Sequence, residues 1–203
     1  MEDSIDTSSQ LTQGDIDVGI KLIDALVRHA TVGQGMPITY ADLLTLARFL
    51  HPKDAAVDRA VPVGLGVKLR FVEDFCRAEG LPNLSCLAVS PMNMRPRAAY
   101  AGDWEADRRA VAGFDWAGAG LEARLAGFAA VARAAVPQRL KPRKERPADV
   151  SWYAYFCAHR EGCKEVTGDD KKEIINLLMA GLDPENALRR VLAAKAEFGA
   201  AQG

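Results

Sequence analysis

The sequence lacks a strong excess of charge of either sign. Its 26 Lys and Arg residues face 27 Asp and Glu residues, for a formal net charge of -1. The global basic signature of a nucleic-acid binder is therefore missing. No apolar run approaches the ~20 residues that a membrane-spanning helix needs. Residues 1–15 are acidic and polar, unlike a signal peptide, so the expected location is cytoplasmic, without membrane association. Four cysteines, Cys76, Cys86, Cys157 and Cys163, do not make a disulfide framework at this length. Only three histidines occur, His29, His51 and His159, and none stands with a serine or cysteine in a nucleophile motif. Gly64 and Gly66 lack the third glycine and the preceding strand of a phosphate-binding loop. They are better read as permitting close helix packing. No internal repeat is found.

What is present has the composition of a folded protein: 49% hydrophobic and 26% charged among 203 residues. That suffices for one good core or two small ones. Residues 1–13 are polar and expected as a disordered tail. Ile16, Ile20, Ile23, Val27 and Ala30 recur at helical spacing and predict a helix over 15–29. Thr39 is placed to cap a helix over 42–50, with Leu43, Leu44, Ala47 and Leu50 inward and His51-Pro52 as the stop. A short helical turn over 54–60 is also expected. Val63, Val67, Phe71 and Phe75 share one face of a helix over 63–79, with Gly80 in the capping position. The apolar run Leu84-Ser85-Cys86-Leu87-Ala88-Val89 between two prolines predicts a strand. Residues 91–102 predict a wing-like loop, 104–110 a charged helical turn, and Phe114-Asp115-Trp116 the returning strand of a small β hairpin. Leu121, Leu125, Phe128, Ala132 and Ala135 mark a bridging helix within 118–136. Pro137, Pro142 and Pro147, with five basic residues, predict a linker over 137–149. Helices are expected over 149–161, 169–179 and 184–198.

The expected fold is mainly α with a small β hairpin. It comprises a winged-helix domain over 14–117, the bridging helix, the basic linker and a small C-terminal helical domain over 150–199. The stretch Ile38-Thr39-Tyr40-Ala41-Asp42-Leu43, continued through Gly80-Leu81-Pro82-Asn83-Leu84 to Val89, resembles a winged-helix type of bacterial and phage proteins. It is also distantly similar to the DNA-binding half of alkyltransferase-like proteins. There, a threonine-tyrosine pair opens the first helix of the helix-turn-helix and a cysteine-containing strand follows the second. The resemblance covers residues 36–116 and implies nucleic-acid or protein binding. It departs from the alkyltransferase pattern at the nucleophile, which stands in a Pro-Cys-His-Arg context there. Here Cys86 lies between Ser85 and Leu87, with no adjacent His or Arg to lower its pKa.

Other constellations carry little chemistry. Cys157 and Cys163 diverge by about 240° on a helix, and no second ligand pair stands near them and His159 to complete a zinc site. Asp103, Glu105 and Asp107 lack a companion lysine and precede Arg108-Arg109, so local ion pairs are expected. Trp152, Tyr153, Tyr155 and Phe156 read as core packing, with any exposed member marking a partner or self-association surface. The expectation is non-catalytic DNA binding, without cofactor or metal, in a bacterial, phage or mobile-element setting. Lys68 and Arg70 would lie on the recognition helix and Arg95 and Arg97 on the wing. Arg139, Lys141, Arg143, Lys144 and Arg146 would add phosphate contacts from the linker. The alternative is a protein-binding module, such as an inhibitor or subunit of a host defence complex, with the C-terminal domain as its docking element.

Overall fold

The computed structural model describes residues 11–137, 140 and 142–200, the side chains of 198–200 excepted. Nine α-helices dominate the described residues. Helix α1 (Gln13–Gly33) opens with a reciprocal capping box. The Asp15 N–H donates to Thr12 Oγ1 at 3.2 Å, and the Thr12 N–H donates to Asp15 Oδ2 at 2.9 Å. Order therefore reaches back into the expected tail: Leu11 packs against the core and Thr12 is buried. Residues 1–10 lie outside the described residues. After α1, Gln34 and Gly35 turn the chain at φ 47° and 77°. A Cβ on Gly35 would stand 2.8 Å from the Arg108 carbonyl oxygen, so this close turn requires glycine.

Strand β1 (Ile38–Thr39) leads into α2 (Tyr40–Leu50), which Thr39 caps by accepting the Asp42 N–H at 3.2 Å. Asp54 caps the short α3 (Ala55–Arg59). Helix α4 (Leu65–Ala78) buries Phe71 and Phe75, whose rings meet Phe128 at centroid distances of 5.4 and 5.6 Å. Val63 and Val67, expected on the same face, are only half-buried. The buried stripe instead runs through Leu65, Lys68, Leu69 and Val72.

The expected hairpin is corrected. Leu84–Leu87 is a 3-10 turn, nucleated where Asn83 Oδ1 accepts the Ser85 N–H at 3.1 Å. Only Ala88–Val89 forms a strand, β2, and it pairs in parallel with β1, Ile38 opposite Ala88 and Thr39 opposite Val89. Parallel strands need a crossover connection, and α2, α3 and α4 supply it. Phe114, Asp115 and Trp116 form a turn, tied by Trp116 Nε1 donating to the Val111 carbonyl at 3.0 Å. The run failed as a strand because Leu84, Ser85, Cys86 and Leu87 are all buried, and a short run buried on every side has no periodicity that separates strand from helical turn. With no hairpin among the described residues, the first lobe is mainly helical, with one two-stranded parallel sheet.

Helix α5 (Trp104–Ala112) is longer than the expected turn, and Trp104 Nε1 pins it to the Cys86 carbonyl at 2.8 Å. Helix α6 (Leu121–Ala135) closes the first core through Ala129 and Phe128. Helix α7 (Glu145–Ala158) begins inside the expected linker, with Pro147 in its first turn, where a missing N–H costs little. Helices α8 (Gly168–Met179) and α9 (Pro184–Ala200) complete a second, smaller core of Trp152, Ile174, Leu178, Leu188 and Val191, among others. Of the aromatic group, Trp152 is buried, Tyr155 and Phe156 are half-buried and Tyr153 is 69% exposed. Helices α8 and α9 pack on the Pro62–Gly64 turn of the first lobe, forming a seam. No helix among the described residues is long and apolar enough to cross a membrane.

Candidate nucleic-acid interface

The seam is closed by a buried ion cluster that includes a residue expected on the recognition surface. Lys68 Nζ lies 2.8 Å from Glu173 Oε1 on α8, 3.4 Å from Asp15 Oδ1 on α1 and 3.0 Å from the Gly64 carbonyl oxygen. Arg190 on α9 reaches Asp15 Oδ2 at 2.5 Å. All four side chains are at most 5% exposed. Burial alone would raise the Asp15 pKa. Arg190 and Lys68, with the Thr12 N–H and hydroxyl, outweigh it and hold the carboxyl well below the usual range. Burial likewise opposes the charge on Lys68, and Glu173 and Asp15 reverse the sign, so its pKa is raised. Lys68 is therefore corrected from a phosphate contact to a tie between lobes, since exposing its ammonium would leave the buried Glu173 carboxylate without an ion-pair partner and Asp15 with Arg190 alone among the described residues.

The wing cations are also engaged. The Arg97 side chain is 10% exposed and bonds Glu73 at 2.5 Å. Arg95 is exposed but sits over Trp104, its Cζ 4.7 Å from the ring centroid, while Arg108 lies over the same indole at 4.9 Å. Arg70 is half-buried on α4. These residues thus do not share an open face with Lys68. Arg139 and Lys141 lie outside the described residues.

Arg143, Lys144 and Arg146 are exposed at the start of α7. Arg146 lines an open groove of about 910 Å³ along the seam. Arg48 and Arg59 line the opposite wall, and Lys171 and Lys172 on α8 stand beside Arg146. Asp58, Glu145 and Asp149 are the carboxylates of the same lining. Lys171 pairs with Asp149 at 3.0 Å and Lys172 with Asp169 at 2.9 Å. Arg48 Nη2 donates to the Ala60 carbonyl at 2.6 Å. Arg59, Arg143 and Arg146 have no ion-pair partner among the described residues. Sequence reading placed Arg143 and Arg146 in a linker and passed over Arg48, Arg59, Lys171 and Lys172. Only the packing of the lobes brings those four together, and no local pattern marks them.

The remaining chemistry is structural. Cys86 is buried, and burial, with Asp107 adding to it, pushes its thiol up to about 12, far from a nucleophile's range. Asp103 caps α5, Asp107 accepts the Tyr100 hydroxyl and Glu105 faces Arg108, so the three carboxylates serve separate partners. Cys157 is exposed and Cys163 buried, and His159 Nδ1 lies 3.0 Å from the Tyr155 carbonyl oxygen. Among the described residues no three His, Cys, Asp or Glu side chains converge as metal ligands. Comparison with protein-family models, with curated proteins and with solved structures gives no match.

Proposed function

We propose that this chain is a non-catalytic DNA-binding protein whose contact face is the seam groove between its two lobes. The observation that carries the proposal is the lining of that groove. Five cationic side chains from α2, α3, α7 and α8 line it against three carboxylates, and two of the cations, Arg59 and Arg146, stand without an ion-pair partner among the described residues. Uncompensated cations spaced along an open groove match a phosphodiester backbone, whose counterions they displace. The winged-helix resemblance contributes helix order only, and no wing contact is included.

Duplex DNA titrated at several salt concentrations tests this. If Arg59 and Arg146 in the groove, with Arg143 and Lys144 beside it at the start of α7, each meet a phosphate, log affinity falls with log salt at a slope of about -3 to -4. Arg146→Ala reduces that slope by about 1. Absence of binding at about 50 mM salt overturns the proposal, because electrostatic binding is strongest there.

A second reading, a protein-binding module, is favoured by α7. Val150 and Tyr153, one turn apart, are 60% and 69% exposed on the face turned from the second core. A pull-down that loses its partner on Tyr153→Ser would favour it over DNA.

A further inference from the structure

A second, smaller cavity adjoins the open groove. Arg59, Ala60 and Asn176 line both, so the two share a wall on the seam. The smaller cavity holds about 200 Å³, below the range of sites for whole drug-sized ligands but ample for one ring system. Its inner walls are apolar, with Val18 from α1 and Leu177 and Met179 from α8.

Its charge is uneven. Asp15 and Glu173 lie at its floor, but Lys68 and Arg190 neutralise both, so the floor carries no net charge. The rim carries Arg59 and Arg143. Their backbones are fixed: the Arg59 carbonyl accepts Asn176 Nδ2 at 3.0 Å, and the Arg143 N–H donates to the Met179 carbonyl at 2.8 Å. Their guanidiniums have no carboxylate partner among the described residues, and Arg143 Nη1 only reaches Ser151 Oγ at 3.5 Å. Two unneutralised guanidiniums on anchored backbone at the mouth of an apolar chamber suit a ligand with an anionic head and a flat apolar body.

We propose that this cavity takes one nucleotide unit, with its phosphate between Arg59 and Arg143 and its base against Val18, Leu177 and Met179. The proposal rests on the reading of the adjoining groove as a DNA contact. The nucleotide is either the terminal unit of a strand lying in the groove or a free nucleoside monophosphate, and both present the same phosphate and base.

The full chain is titrated with short duplexes bearing a single-stranded 5′ overhang, ending in a 5′-phosphate or a 5′-hydroxyl. Adenosine monophosphate and inorganic phosphate are titrated separately. The expected result is about tenfold tighter binding of the phosphorylated end, as for loss of one charge-assisted contact. Arg59→Gln and Arg143→Gln abolish that preference, whereas Arg146→Gln weakens both ends alike. Equal binding of the two ends, with no binding of the monophosphate, overturns the inference and leaves the groove reading standing. A preference that survives both Arg59→Gln and Arg143→Gln also overturns it. No oligonucleotide binding, with monophosphate binding that depends on Arg59 and Arg143, overturns the groove reading and supports a free-nucleotide site. Inorganic phosphate binding as tightly as the monophosphate removes the base from the site and overturns the inference.

Discussion

The interior and the rim of the lobe seam use the same side-chain types to opposite ends. Inside, Lys68 and Arg190 are each 5% exposed and each holds a carboxylate. At the rim, Arg59, Arg143 and Arg146 are exposed and hold none among the described residues. An unmatched buried ion costs several kcal/mol, so every interior charge in the cluster is matched. An exposed ion keeps its water, so leaving it unmatched costs almost nothing. Position in the fold therefore decides which cations can meet a ligand, and the helix that carries a cation does not.

The sharpest way to break this contrast is Lys68→Met. It leaves Glu173 buried with the Asn176 amide as its remaining hydrogen-bond partner among the described residues, and a loss of about 3–5 kcal/mol in urea unfolding is expected. The double variant Lys68→Met/Glu173→Leu keeps the Asp15–Arg190 pair and recovers most of that loss. If the double variant is as unstable as the single one, lost packing of the lysine stem and not the stranded charge is responsible.

Gly64→Ala attacks the same cluster from the backbone. A Cβ there would lie 2.3 Å from Glu173 Cδ and 2.4 Å from both carboxylate oxygens. Glu173 could swing away only by leaving Lys68. The expected cost is about 1–3 kcal/mol, as for overpacking of a filled site, read as a lowered midpoint in the same urea assay.

Acid titration probes the cluster without a mutation. The Asp15 carboxyl is held below its ordinary value of 3.8 in the folded chain. Its contribution to stability is therefore fully present above that value and is lost as pH falls through the lower folded value. Lys68 acts at the other end. Its folded pKa lies above 10.5, so its contribution holds below that value and fades as pH rises through the folded one. Stability from this cluster is thus flat across the neutral range. Asp15→Asn is expected to lower the plateau and to flatten the acid fall in unfolding experiments run from neutral pH to about pH 2. An unchanged acid slope would assign the fall to other carboxylates, Asp170 first, whose pKa is also depressed. There burial opposes, and the Thr167 N–H, Lys195 and the Thr167 hydroxyl prevail.

Much of the fold was legible because its helices are amphipathic or capped. Thr39 and Asp183-Pro184 mark their helix starts, and the Ile16 to Ala30 stripe marks α1. The hairpin was not legible, because a fully buried run such as Leu84 to Leu87 carries no alternation. Lys68 was misread for a related reason. A lysine on the margin of an apolar face more often snorkels to water, and its partner Glu173 is 105 residues away. One local signal did survive: Gly64, read as a site of close packing, is where Glu173 enters. The groove was the least legible, because Arg48 and Arg59 belong to one lobe and Lys171 and Lys172 to the other.

The smallest stability effects fall at the rim, and they sharpen the contrast. Arg59→Ala and Arg146→Ala are expected to change stability by no more than about 0.5 kcal/mol, while each removes about one unit from the salt slope of DNA binding. Arg95→Ala should do the reverse. Its guanidinium sits over Trp104, so its loss costs about 0.5–1 kcal/mol, and the salt slope stays as it was because Arg95 is not part of the groove lining. Urea unfolding and DNA titration of the three variants give six values that must split along this line. If Arg95→Ala weakens DNA binding as much as Arg146→Ala does, the contact face extends over the first lobe. The seam would then be one part of a broader surface.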